Sequence, residues 1–394
     1  MIGYRLDEEH EALRATVEQF AREVVAPVIG GYYERCEFPY DIVARMGKMG
    51  LFGLAFPEEY GGMGGDYFAL CLALHELARV DSSVAITLEA GVALGAMPIY
   101  RFGTEEQKQK WLPRLCSGER LAAFGLTEPG GGTDVPGGMR TTARLAGGEW
   151  VIDGTKAFIT NAGTTITDLV TVLAATGRLP DGSKEISSIV VPAGTPGLLV
   201  GQKYSKVGWA ASDTRELSLS SCRVPEDHLL GARGRGYAQF LHILDEGRIA
   251  IAALAAGLAQ GCVDESTRYS AQRAAFGHPI GSYQAIHFKI ADMEARAVTA
   301  RLAWYHAAAT MAAGQAFKKE AAIAKLTASN AAMDNARDAT QIFGGYGFMN
   351  EFAVARFYRD AKVLEIGEGT SEVQRMLIAR ELGLPRLRES GAQG

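Results

Sequence analysis

The sequence predicts a multidomain α+β chain. Its parts are an all-α N-terminal domain (residues 1–120), a central antiparallel β domain of the small-barrel or sandwich kind (121–233) and a C-terminal four-helix bundle (234–394). Three observations predict it. Apolar residues first recur at helical spacing; they then give way to short apolar runs separated by Gly, Pro, Asp and Ser clusters; long alanine-rich helical stretches follow. No strand–helix alternation links them, so a βαβ array is not expected. A length of 394 residues fits two to three domains.

In the first segment Leu13, Val17, Phe20, Val24 and Val28 make one apolar stripe, with Asp7 placed to cap the helix. Pro39 sits where a first helical turn tolerates it, and Thr104 with Gln107 forms a capping box before a helix ending near Cys116. In the second segment Glu149–Ile152, Asp153-Gly154 and Thr155–Thr160 read as strand, two-residue turn and strand. Further strands are expected at Leu169–Ala174, Ile186–Val191 and Leu217–Val224. The third segment predicts helices over Tyr237–Ser270, Gln284–Ala313 and Phe317–Phe343. Breaks at Gly344–Gly347 and Ile366–Thr370 precede a last helix near Ser371–Leu382.

Composition excludes more than it assigns. Forty Lys and Arg against forty-five Asp and Glu give a net charge of −5, which does not suit phosphate-driven nucleic-acid binding. The apolar run Ile249–Val263 is shorter than the roughly twenty residues a bilayer span needs, so membrane insertion is not expected. Five scattered cysteines without a C-x-x-C pair, and termini without targeting patterns, lead us to expect a cytoplasmic protein. No G-x-G-x-x-G follows a strand, no P-loop or G-x-S-x-G exists, and His75-Glu76 is followed by Arg79 where a zinc site needs histidine. No metal site is expected.

Four segments remain. Phe124–Asp134 holds three consecutive glycines with Thr127 and Thr133, either a backbone cradle for an anionic or heteroaromatic ligand or a domain connection. Phe158 and Thr160 share a strand face, as a stacking platform or as plain β packing. Arg273 with Phe276, followed by Gln284, can hold a phosphate and a ring or only end a helix. Last come Gln341–Gly347 and Arg359–Glu372, where Glu368 lies between Gly367 and Gly369 just before a helix start. That carboxylate can reach into a cavity, or be an acid favoured by the helix dipole.

In order, Phe56–Gly62, Leu126–Asp134, Ser212–Arg215, Gln272–Gly277 and Glu368–Glu372 closely resemble the acyl-CoA dehydrogenase family of flavoproteins, over essentially the whole chain. The resemblance implies FAD as cofactor, an acyl-CoA substrate, an electron-transferring flavoprotein as acceptor and a homotetramer. It implies that Phe124, Leu126, Thr127 and Thr133 line the flavin and the thioester arm, with Phe158 and Thr160 against the ring. Arg273, Phe276, Gln284, Gln341, Gly344 and Gly345 would hold the pyrophosphate and adenosine end, largely across a subunit interface. Thr370 and Glu372 complete the cofactor contacts. Thr133, Asp245, Arg248 and Gly369 would meet the substrate. Glu368 matches the family's catalytic base, while some relatives carry the base at the position of Gly247.

The implied reaction is α,β-dehydrogenation of a saturated acyl thioester to the trans-2-enoyl-CoA, Glu368 taking the α-proton and flavin N5 the hydride. A carboxylate at an ordinary pKa of about 4.3 is a poor base for that proton. The helix N-terminus after Gly369 would lower it further, so substrate must dry the pocket and raise it. Many straight-chain members have tyrosine at the position of Gly367 and tryptophan at that of Phe158, so a short or branched short acyl chain is expected here. An oxidase using the same site, and a non-catalytic flavoprotein of the same fold, are the alternatives.

Overall fold

The computed structural model describes residues 5–385; the termini that carry part of the targeting expectation, residues 1–4 and 386–394, lie outside the described residues. The N-terminal helices are α1 (Glu8–Phe20), α2 (Ala26–Glu34), α3 (Tyr40–Lys48), α4 (Tyr67–Ala78), α5 (Ser82–Glu89), α6 (Met97–Phe102) and α7 (Glu105–Cys116). Asp7 accepts a hydrogen bond from His10 N, and both halves of the Thr104–Gln107 capping box are formed. The stripe on α1 and α2 differs from the expected one: Val17, Phe20, Val25 and Ile29 are buried, and Val28 is exposed. A π-helical turn over Ala21–Val25 is the reason, because its wider turn shifts the later apolar positions by one residue. A second π-helix, Ala90–Ala96, joins α5 to α6. The run Ser82–Phe102 is long and apolar enough to cross a membrane, but 94% of its apolar 18-residue window is buried inside the protein.

The central part holds β1 (Leu121–Gly125), the one-turn α8 (Val135–Gly138), β2 (Thr142–Ala146), β3 (Glu149–Thr160), β4 (Thr167–Arg178), β5 (Lys184–Pro192), β6 (Leu198–Val200), β7 (Thr214–Pro225) and β8 (Leu229–Leu230). They form one eight-stranded sheet in the order β6-β7-β3-β2-β4-β5-β8, with β1 also on β4. The sheet is mixed rather than wholly antiparallel, since β1 runs parallel to β4, as does the single β2–β4 pairing at Thr142 and Ala175. The long connection through β2 and β3 makes a parallel return possible. The expected Asp153-Gly154 hairpin is a bulge inside β3, where a Cβ on Gly154 would come within 2.4 Å of Thr141 Oγ1. The hairpin turn is instead Gly147-Gly148, both with positive φ, between β2 and β3.

The C-terminal part comprises α9 (Gly236–Gln272), the small ribbon β9 (Ala274–Ala275) and β10 (His278–Pro279), α10 (Gln284–Ala312), α11 (Lys318–Phe343), α12 (Ala353–Leu364) and α13 (Ser371–Glu381). Helices α9, α10 and α11 pack on one another, and α11 also packs on α12 and α13. Between the two expected breaks, Gly344–Gly347 and Ile366–Thr370, lies a further helix, α12, whose Val354, Phe357, Ala361 and Leu364 are buried on one face. One apolar core runs through both helical parts and a separate one fills the sheet. The parts meet at Asp360 of α12, whose carboxylate accepts from Tyr33 Oη at 2.7 Å, Ser82 Oγ at 2.6 Å and Trp209 N at 2.6 Å.

Candidate active site

Between α12 and α13 the chain turns sharply, and Thr370 caps α13 by accepting from Val373 N at 3.3 Å. Glu368 (φ 52°) and Gly369 (φ 91°) are both left-handed. For a residue with a side chain this is disfavoured by roughly 1–2 kcal/mol, so the surroundings must impose it. A Cβ at position 369 would also lie 2.9 Å from Gln374 Nε2. Lys325 Nζ of α11 donates to Gly369 O at 2.8 Å, and Gln374 Nε2 donates to the same carbonyl at 2.9 Å. Burial pulls the Lys325 ammonium down to about 8 in spite of the Glu368 carboxylate opposite it.

The turn aims the Glu368 carboxyl inward. The residue as a whole is half-buried, but both carboxyl oxygens are shut off from solvent and find no N–H or hydroxyl donor among the described residues, the Glu89 carboxyl being their one polar neighbour there. Burial raises its pKa above the ordinary carboxylate range, while a hydrogen bond with Glu89 and the charges of Lys325 and Arg248 pull the other way. The net shift is thus upward before any ligand arrives, contrary to the expected depression by the helix terminus. Arg248 is 4% exposed and paired with Asp245 one turn earlier on α9. Its charge bears on Glu368 from inside the protein. A Cβ at Gly247 would lie 2.4 Å from Glu368 Oε2. Positions 247 and 368 therefore address the same point in space.

The sheet supplies the neighbouring wall. Phe124, at the end of β1, stacks on Phe240 of α9 with ring centroids 4.0 Å apart, and Leu126 packs on the same cluster. Thr127 O accepts from Ala157 N at 2.9 Å, which brings the glycine-rich segment beside the end of β3. Lys156 and Glu128 lock this junction as a buried ion pair at 2.8 Å, and Glu128 also accepts from Arg140 N and Thr141 N. Burial pushes the Glu128 carboxyl up, but these donors outweigh it and hold it below its usual range. Phe158 is left-handed (φ 62°) and 64% exposed, Thr160 is half-buried, and Asn161 Nδ2 donates to Thr87 O of α5 at 3.0 Å. Thr133 is exposed on its loop.

Arg273, Gly344 and Gly345 come together elsewhere, lining one cavity of about 400 Å³ with Tyr269, Phe343 and Tyr346. Nothing lies within 4 Å of where a Cβ would stand on Gly344 or Gly345. Phe276, at the tip of the β9–β10 ribbon, is 94% exposed; Gln284, Gln341 and Glu372 are exposed too. Within one chain these residues are not gathered around Glu368. A cavity of about 1410 Å³ between α4, α9, α10 and α12 is lined by none of the expected site residues.

Sequence reading missed five residues: Glu89, Lys325, the paired Glu128 and Lys156, and Trp209. Glu89 and Lys325 carried a usable signal, since each is a lone charge in an apolar run, Ile86–Val92 and Ala321–Ala328 respectively.

Three family models match the chain: acyl-CoA dehydrogenase, N-terminal domain, over residues 7–119; middle domain, over 123–222; and C-terminal domain, over 234–383. The chain is 47% identical over 381 residues to the probable acyl-CoA dehydrogenase YngJ of Bacillus subtilis, covering 97% of this chain and 100% of that protein. It is 42% identical over 377 residues to the mitochondrial short-chain specific acyl-CoA dehydrogenase of Bos taurus, covering 96% and 90%. The butyryl-CoA dehydrogenase structure from Megasphaera elsdenii superposes with a TM-score of 0.93 at 39% identity, covering 97% and 100%.

Proposed function

Because the chain belongs to the acyl-CoA dehydrogenase family of flavoprotein oxidoreductases, we propose that it binds FAD and dehydrogenates a short or branched short-chain acyl-CoA to the trans-2-enoyl-CoA, with Glu368 as the base for the α-proton. One observation carries this reading: the Glu368 carboxyl is buried with both oxygens lacking a donor among the described residues. No N–H or hydroxyl donor among the described residues occupies its lone pairs, and desolvation makes it a stronger base than an exposed carboxylate.

The residues present fit FAD. The bare Gly344–Gly345 backbone beside Arg273 is a cradle that side chains would fill, and its cation suits a pyrophosphate. Phe124, Leu126, Thr127, Phe158 and Thr160 would hold the ring end, and Thr370 and Glu372 would add contacts. When bound, the flavin supplies the hydride acceptor. The chain's own part is to take the α-proton on a Glu368 oxygen, to hold the turn that carries Glu368 through the grip of Lys325 and Gln374 on the Gly369 carbonyl, and to offer the Glu368 N–H to the thioester oxygen as it gains charge. A side chain begun at Gly367 would meet only ordinary contacts, Val363 O at 3.5 Å and the Trp209 ring at 3.9 Å. That open space beside the base supports a branch near Cα. The exposed Phe276, Phe288 and Phe348 support a homotetramer in which a second copy completes the adenosine end. We also propose an electron-transferring flavoprotein as acceptor and, from the five free cysteines, a cytoplasmic setting.

Anaerobic mixing of the flavin-loaded protein with butyryl-, isobutyryl-, isovaleryl- and octanoyl-CoA tests the reading. Flavin bleaching is expected fastest with a short or branched chain, and a preference for octanoyl-CoA refutes the substrate class. Glu368→Gln should keep its colour and bind ligand but bleach about 10²–10⁴-fold more slowly. Near-normal bleaching would remove Glu368 from the role. Turnover with an artificial acceptor that needs no O₂ separates a dehydrogenase from an oxidase.

A further inference from the structure

Glu89 has no part in the chemistry above, yet it is the buried charge closest in kind and place to the base. It is the last residue of α5, it is 0% exposed, and neither carboxyl oxygen has a donor among the described residues. The helix widens into the π-helix Ala90–Ala96 immediately after it, and Asn161 pins the Thr87 carbonyl just before it. Its carboxyl lies within hydrogen-bonding reach of Glu368.

The other charged and titratable groups around the pair are already engaged or neutral. Tyr67 and Cys71 face it from α4, both buried and un-ionised. From α9, Glu246 pairs with Arg101 and His242, and Arg248 pairs with Asp245. From α11, Lys325 holds the Gly369 carbonyl, and its charge, like that of Arg248, bears on Glu368. Two carboxylates in contact in a dry interior cannot both be ionised. Among the described residues the charges of Lys325 and Arg248 bear on Glu368 and no cation bears on Glu89, so the anion belongs on Glu368 and the proton on Glu89.

We propose that Glu89 is a positioning residue for the base: a neutral carboxylic acid whose O–H donates a hydrogen bond to the Glu368 carboxylate, so that the pair holds one proton at rest and Glu368 remains an oriented anion. This rests on Glu368 being the base. Burial drives the Glu89 pKa well above the carboxylate range, in keeping with a proton retained at neutral pH. A hydrogen bond donated to the anionic form lowers the Glu368 pKa and offsets part of its own desolvation.

The test uses the flavin-loaded protein with two substitutions, Glu89→Gln, which keeps a neutral donor, and Glu89→Leu, which removes it. In single-turnover bleaching across pH, Glu89→Leu should move the acid limb upward by about one unit, a roughly tenfold loss at a fixed pH on that limb. Glu89→Gln should leave the limb within a few tenths of a unit. A downward move in Glu89→Gln would mean that Glu89 is an anion at rest, and an unmoved limb in Glu89→Leu would mean that it gives Glu368 no hydrogen bond; either overturns the proposal. A second readout needs no turnover. The infrared carbonyl band of a buried carboxylic acid should be present at neutral pH in the unsubstituted protein and in Glu368→Gln, and lost in Glu89→Gln. Its loss in Glu368→Gln alone would place the proton on Glu368 and overturn the assignment. If Glu368→Gln bleaches normally, the base assignment fails, while the infrared result still reports where the proton sits.

Discussion

At position 247 one hydrogen atom decides whether the base can stand where it does. A methyl group there would lie 2.4 Å from Glu368 Oε2, so Gly247→Ala must displace the carboxyl. A shift of about 1 Å in a reacting group lowers a rate by roughly 10²-fold, and that is the fall expected in single-turnover bleaching, with FAD still bound. Position 247 lies inside α9, where alanine favours the helix by about 0.5–1 kcal/mol over glycine. The melting temperature should therefore hold or drop little while the rate collapses; parallel losses of both would show general damage instead. Glu89 has a pH signature of its own at this scale. Its folded pKa is raised, so its stabilising contribution is full at acid pH and is lost as pH rises from the ordinary carboxylate range through the raised value. Thermal melts of Glu89→Gln should show a flatter decline over that window than the unsubstituted protein, and identical slopes would argue against a retained proton.

At the scale of elements, the site depends on how segments far apart in the chain are held in register. The glycine-rich segment after β1 and the end of β3 meet through one backbone hydrogen bond and the Lys156–Glu128 pair, of which Lys156 is wholly buried. Removing one member leaves the other charge buried and uncompensated. Lys156→Met should thus destabilise by about 3–5 kcal/mol, read as a lower unfolding midpoint in urea. A midpoint within error of the parent would show that the ion pair does not hold the junction. Elements also show where sequence periodicity misleads. The stripe through Val24 and Val28 is valid for an unbroken α-helix, but the π-turn at Ala21–Val25 advances the buried face to Val25 and Ile29. No residue in that turn announces the change, because packing against the rest of the core selects it.

At the scale of the whole molecule, Asp360 is the point through which the parts are coupled. One buried carboxylate on α12 takes donors from α2, from α5 and from the segment before β7. Asp360→Ala would strand all three, and each buried donor left unmet is unfavourable by about 1–3 kcal/mol. Scanning calorimetry is expected to show an earlier transition that splits into two, as the sheet melts apart from the helices. A single transition at the parent temperature would refute the coupling.

The sequence by itself determined the order of helical, sheet and helical parts, the caps at Asp7 and Thr104, and the identity of Glu368 as a carboxylate freed by flanking glycines. Caps, periodicity and glycine placement are local properties, encoded within a few residues, so they can be read in order along the chain. The Gly147-Gly148 turn is just as local and went unread, while the Asp153-Gly154 signal is overridden by pairing with β7, which draws both halves of β3 into one strand. Only the tertiary structure decided the parallel β1–β4 pairing, the approach of Gly247 to the Glu368 carboxyl, the Lys325 anchor of Gly369 and the meeting of Glu89 with Glu368. Each joins residues tens to hundreds of positions apart, and a carboxyl's proton depends on what surrounds it after burial. That environment exists only once the helices have closed around it.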